Sequence, residues 1–135
     1  MDGFVARIAM TLLEAGGTVR PGGVVAFMLT ATDAVGLPCQ LGSSLGTGPI
    51  PIDTRNLSLS PDGLLALSVA GLWPAIFSGY RGLIDNRGRA RAAIHIPNLL
   101  ALIGTRIHTA FVTLDPAAPS GIRSISNTYS FSITK

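Results

Sequence analysis

The stretch Tyr129-Ser130-Phe131-Ser132-Ile133-Thr134 alternates an apolar residue with a hydroxyl residue over six positions. Successive side chains of a strand point to opposite faces, so this segment reads as a strand with one buried and one wet face. The same period recurs upstream. Arg89, Arg91 and His95 alternate with Ala90, Ala92, Ile94 and Ile96, and Ile107 to Leu114 is rich in β-branched and aromatic residues. Val25, Phe27 and Leu29 form an inward row, while Val24, Ala26 and Met28 on the opposite face are apolar too. Near the N-terminus Phe4, Ala6, Ile8, Met10 and Leu12 alternate with Arg7 and Thr11.

Turn signals separate these runs at short intervals: Arg20-Pro21-Gly22-Gly23, Ser60-Pro61-Asp62-Gly63, Asp85-Asn86-Arg87-Gly88 and Ala118-Pro119-Ser120-Gly121. Proline presets the second position of a turn, and Asp85 followed by Gly88 suits a type I turn with a bulge that closes a hairpin. With 16 glycines and 9 prolines among 135 residues there is no room for long helices. Two short helical turns are expected. One starts at Ser60-Pro61-Asp62 with Ser60 as cap and includes Leu64 and Leu65; the other covers Pro97 to Gly104. The uncharged run from Gly63 to Tyr80 is too short and too broken by Gly71, Pro74 and Gly79 to span a bilayer, and reads as two buried elements joined at Pro74. Many short strands at this spacing predict an all-β antiparallel sandwich, immunoglobulin-like or jelly-roll-like, of about eight or nine strands. The chain is one domain, with residues 1–16 as an extra N-terminal strand before a module over residues 17–135.

Charged residues are 13% of the chain and apolar ones 47%, with a mean hydropathy of +0.48. Disorder is thereby excluded, and a single cysteine, Cys39, excludes a disulfide-stapled scaffold. Cys39 is a buried small hydrophobe or a free thiol. The net charge is +3, and nine of the ten basic residues are arginine. Arg81, Arg87, Arg89 and Arg91 form the one cluster, without the aromatic or helix-turn-helix signals of a nucleic-acid reader, so no nucleic-acid partner is expected.

Catalytic patterns are thin. Gly42-Ser43-Ser44-Leu45-Gly46 fits Gly-x-Ser-x-Gly with Ser44 in the nucleophile's place, but Gly48, Pro49 and Pro51 prevent the helix such a motif requires. His95 and His108 lie in neighbouring predicted strands that pairing could bring together on one face, yet a zinc site would need further ligands, such as Asp85 or Asp115, without supporting spacing. No catalytic residue, metal or cofactor is assigned. As a flat aromatic for a sugar, Tyr80 beside Arg81 is the surface candidate, while Trp73 before Pro74 reads as core.

A longer pattern adds a resemblance. Ile76-Phe77-Ser78-Gly79-Tyr80-Arg81-Gly82, Arg89-Ala90-Arg91-Ala92, Ile96-Pro97-Asn98 and Ala110-Phe111-Val112-Thr113-Leu114-Asp115-Pro116-Ala117-Ala118-Pro119-Ser120-Gly121 resemble a C-terminal β-sandwich module of secreted and surface proteins in planctomycete-type bacteria. Pro21-Gly22-Gly23 and Leu41 through Pro51 also fit. The resemblance covers residues 17–135 and implies an extracellular or cell-surface, non-catalytic role, with no residue roles to carry over. The start, Met1-Asp2-Gly3-Phe4, reads as no signal peptide.

Low charge and a strand that is apolar on both faces predict burial against other copies. The leading expectation is a non-catalytic structural module that self-associates into an oligomer or filament through Phe4, Ala6, Ile8, Met10, Leu12, Val24, Ala26 and Met28. The alternative is a carbohydrate- or polymer-binding module using Tyr80, Arg81, Arg87, Arg89 and Arg91 on a polysaccharide. The segment Phe4 to Leu13 is expected either to complete its own sheet or to add to a neighbour's edge.

Overall fold

The computed structural model describes residues 10–135. Over these residues it is an antiparallel all-β sandwich of eleven strands, several of them only two or three residues long. The first sheet has the order β1 (Thr11–Gly17), β2 (Val24–Ala31), β8 (Arg89–His95), β6 (Phe77–Ser78). The second has β9 (Arg106–Leu114) beside β3 (Pro38–Ser44), with β7 (Arg81–Leu83) beyond β3. β10 (Ile122–Ile125) and β11 (Tyr129–Ser132) share the other side of β9. A small hairpin, β4 (Ile50–Ile52) with β5 (Arg55–Leu57), and a helix, α1 (Gly63–Ala70), are the remaining elements among the described residues, apart from two 3-10 turns.

The period-two runs set the core. Leu13, Leu29, Phe27, Val25 and Ile94 face inward from the first sheet and meet Leu41, Phe111, Ile107 and Phe131 from the second. Phe27 and Tyr129 touch edge-on across the layers with ring centres 6.3 Å apart. Cys39 is buried in the same core, and burial pushes its thiol pKa up, so it acts as a small hydrophobe.

Covalent order sharpens several expectations. Asp85–Gly88 is a tight turn in which Asp85 Oδ1 accepts from the Arg87 and Arg89 amides at 2.8 and 3.0 Å. Gly88 has φ +79°, and a side chain there would press on the Thr32 backbone at 3.0 Å. The expected turn and bulge form, with the Gly88 amide donating to the Asp85 carbonyl at 3.0 Å and the Asp85 amide to the Arg89 carbonyl at 2.8 Å, but β7 and β8 beyond them belong to different sheets, so the chain crosses between layers here and no long hairpin follows. The helix is capped by Asp62, not Ser60: Asp62 Oδ1 accepts from the Leu65 amide at 3.0 Å. Only Ser68 of that helix is buried, so Gly63 to Tyr80 is half exposed and not two buried elements. Within Pro97 to Gly104 only Leu100–Leu102 winds into a 3-10 turn. β1 pairs with β2 along its whole length, so residues 11–17 complete their own sheet, as an integral strand that crosses the expected boundary at residue 16. Phe4, Ala6 and Ile8 lie outside the described residues.

Candidate functional site

The two sheets differ in what covers their outer faces. On the second sheet, Gly42 and Val112 of β3 and β9 lie under Leu65 and Val69 of α1 and under the β4–β5 hairpin. A side chain on Gly42 would stand 2.5 Å from Leu65 Cδ1, so glycine lets the helix approach the strand. The helix also supplies the partners that β3 lacks beyond β7. Ser43 donates its amide to Ser68 Oγ at 3.0 Å, and Leu45 donates to Asp62 Oδ2 at 2.8 Å. Asp53 and Arg55 hold the hairpin to β10: Arg55 reaches the carbonyls of Ile122 and Arg123 at 2.6 and 2.9 Å. The Arg55 guanidinium in turn holds the Asp53 carboxyl down to about 2.

The first sheet's outer face is bare among the described residues, and register places its side chains in rows. One row is Leu12, Thr30 and Arg89; the next is Glu14, Met28 and Arg91; the third is Gly16, Ala26, Ala93 and Ser78; the last pairs Val24 with His95. The small third row makes the floor of an open hollow of about 670 Å3 bounded by Glu14, Met28, Arg89 and Arg91. Val24, Ala26 and Met28 thus do face outward, as the sequence suggested, and Leu12 joins them at half exposure. Met10, at 50% exposure, is tied by its amide to Thr32 Oγ1 at 2.8 Å and lies at the edge of this face.

The arginines continue from this face around the corner. Arg81, Arg87, Arg89 and Arg91 line a hollow of about 320 Å3, and among the described residues none of the four forms an ion pair. Asp85, in the same hollow, is committed to the turn; the Arg89 and Arg87 amides hold its carboxyl below the usual range.

Tyr80 corrects the sequence reading. It is 4% exposed, at the corner where the chain passes from β6 to β7, and offers no platform to a sugar. Its hydroxyl meets Ser43 Oγ at 2.6 Å, and Ser43 Oγ meets Thr109 Oγ1 at 2.7 Å, so three hydroxyls close a small network inside an otherwise apolar core. Burial is the main cause that drives the Tyr80 pKa far up. Trp73 is the opposite correction: it is 49% exposed, between α1 and β6.

The histidines do not meet as expected. His95 lies on the first sheet opposite Val24, and His108 on the second, with Nδ1 2.6 Å from Ser130 Oγ. Ser44 is opposite His108 in the β3–β9 pairing but fully buried; it donates to the Gly46 carbonyl at 2.6 Å and accepts from the Ser60 amide at 3.1 Å. No helix starts after it, so the Gly-x-Ser-x-Gly match is the end of a strand, with its hydroxyl spent on the backbone.

At the end of the sandwich near His95 the layers part around a further cavity, of about 270 Å3, whose walls are hydrocarbon. The buried hydroxyl network and this cavity were missed in the sequence, although the charge-free runs Gly63 to Tyr80 and Ala92 to Thr105 border the cavity and signal it. Among the described residues no helix is long and apolar enough to cross a membrane. No protein-family model matches the chain, and no curated protein matches it.

Proposed function

We propose that this chain is a non-catalytic structural module of the cell exterior that associates with a second copy through the bare face of β1, β2 and β8. The observation that carries the reading is one cross-strand row. Glu14, Met28 and Arg91 stand side by side on the same face, with Glu14 and Arg91 two strand spacings apart, about 10 Å. A two-fold axis parallel to the strands and passing over Met28 turns a second copy face down and sets each Glu14 against the other's Arg91. Met28 then meets Met28, and the Val24 and Ala26 side chains lose water on both copies. An isologous contact of this kind is self-complementary by construction, and opposite charges at the two ends fix its register. The face is small, about 14 by 23 Å from strand spacing and rise, so association depends on protein concentration. The exterior location rests on the resemblance of Phe111 to Gly121 to secreted modules.

Light scattering on size-exclusion fractions over a concentration series tests it. The expected result is a monomer at low concentration and a dimer at high. Glu14→Arg removes the dimer, and adding Arg91→Glu restores it. A monomer at every concentration, or a dimer indifferent to both changes, overturns the proposal.

A second reading has its own observation, the four arginines in one hollow without ion pairs among the described residues. It is an acidic polysaccharide lying along Arg81, Arg87, Arg89 and Arg91, with guanidinium groups forking onto carboxylates or sulfates. Salt-sensitive retention on a heparin column, lost in Arg87→Ala/Arg91→Ala, is its expected result; equal retention of wild type and variant removes it.

A further inference from the structure

The cavity near His95 lies between the two sheets and not on either of them. Ile94 contributes from the first sheet and Ile107 from the second, Ile133 closes one side, and Trp73, Ile76 and Leu102 form the roof. The surface it exposes is hydrocarbon, and Thr105 is the one residue in its lining with a polar side chain. An enclosed cavity of about 150 Å3 lined by aliphatic and aromatic side chains accepts benzene; this one has a similar lining but is open to solvent on one side. At about 270 Å3 this one is nearly twice that size. The roof is thin. Trp73 is half exposed, Leu45 beside it is 55% exposed, and the turn carrying Leu102 leaves Leu100 at 77%. None of the three bordering runs, Leu45 to Gly48, Gly63 to Tyr80 and Ala92 to Thr105, contains a charged residue. Hydrophobic side chains in the water around a hydrocarbon-walled opening are costly for a sandwich that has no use for them.

We infer that this end of the sandwich binds the hydrocarbon chain of a single amphiphile, tail between the sheets and head group in solvent at the Trp73 mouth. Scaling from the benzene-sized cavity gives room for about ten carbons. The hydrocarbon surface of the walls means that selection is by chain length and girth, and that the head group contributes little. Each methylene taken from water tightens binding about fourfold until the cavity is full. The site is separate from the Glu14–Arg91 face and does not depend on the proposed dimer.

Trp73 is the chain's one tryptophan, so its emission reports the mouth directly. Hexanol, octanol and decanol, each kept below its solubility limit, are titrated into the 135-residue chain and followed by Trp73 fluorescence and calorimetry. The expected result is a blue shift and an affinity that rises about 15-fold for each two carbons. Decanoate binds within a few-fold of decanol. Ile76→Phe and Leu102→Phe, two independent ways to fill the cavity from its partly exposed roof, weaken decanol at least tenfold; thermal melts confirm that both remain folded. No response to decanol, equal affinity for hexanol and decanol, or unchanged binding in a folded filled variant overturns the inference. So does a response to phosphatidylcholine vesicles without a response to monomeric alcohols, which would make this end a membrane-contact surface.

Discussion

The central strands of the two sheets, β2 and β9, are of similar length, eight and nine residues, yet β2 lives in a different environment from β9. β2 alternates between buried Val25, Phe27 and Leu29 and the outward Val24, Ala26 and Met28. β9 is buried from Ile107 through Val112 on both faces, because α1, the β4–β5 hairpin and the C-terminal strands surround it. An apolar residue facing away from the core therefore means two different things in this molecule. On the second sheet it marks a third layer supplied by the chain itself. On the first sheet the described residues supply no such layer, and the same kind of residue lies at the surface, where the proposed second copy would cover it.

The sharpest way to break that contrast is to damage the two-sided sheet. Phe111→Ala, at 1% exposure the largest of the side chains wholly enclosed, should cost about 3–5 kcal/mol in a denaturant melt; a loss under about 1 kcal/mol would mean that the core between the sheets is loosely packed at β9. Next comes the attachment of the outer layer. Asp62→Ala removes both the helix cap and the partner of the Leu45 amide, and should cost about 1–2 kcal/mol.

The hydroxyl network gives a pH signature. Tyr80 has its pKa raised in the folded state, so the folded protein holds its phenolic proton where the unfolded chain, at about 10, releases it. The stability from keeping Tyr80 neutral is present below about pH 10 and falls as the pH rises beyond it. Tyr80→Phe should flatten this alkaline limb while costing about 1 kcal/mol at neutral pH, as Ser43 and Thr109 keep each other. An alkaline limb of unchanged slope would place its cause elsewhere. The smallest effect belongs to the bare face. Met28→Ser should change the stability of dilute monomer by no more than about 0.5 kcal/mol; a large loss in the monomer would show that β2 is covered after all.

The β-sandwich was legible because alternation is a local property. Tyr129 to Thr134 and Arg89 to Ile96 each state which face is inward, and the structure agrees at Phe131, Ile133, Ala92 and Ile94. Which sheet each strand joins is not local, and there the reading failed. Asp85–Gly88 has every residue of a hairpin turn but joins two layers, and the two histidines were paired on that kind of adjacency. Trp73 and Tyr80 were exchanged for a related reason. Composition favours a buried tryptophan, but Tyr80 follows Gly79, whose φ of +70° turns the chain across the sandwich edge and carries the next side chain inside. Of the candidate site, the outward trio on β2 could be read from its own strand. Glu14 and Arg91 could not, because their kinship exists only through the register of three strands.

Asp62 also has a consequence in time. Eight residues are too few for a helix to persist alone, and Gly63–Ala70 carries no charge to help it. The bonds from Ser43 and Leu45 join residues 25 and 17 positions apart, so the helix is a latch that closes only when it docks on β3. Until it closes, the amide edge of β3 from Ser43 to Leu45 is open to any passing strand. The window for aggregation during folding is therefore set by how fast one carboxylate finds two amides, and a chain with Asp62 removed should leave more of itself in inclusion bodies than its modest loss of equilibrium stability suggests.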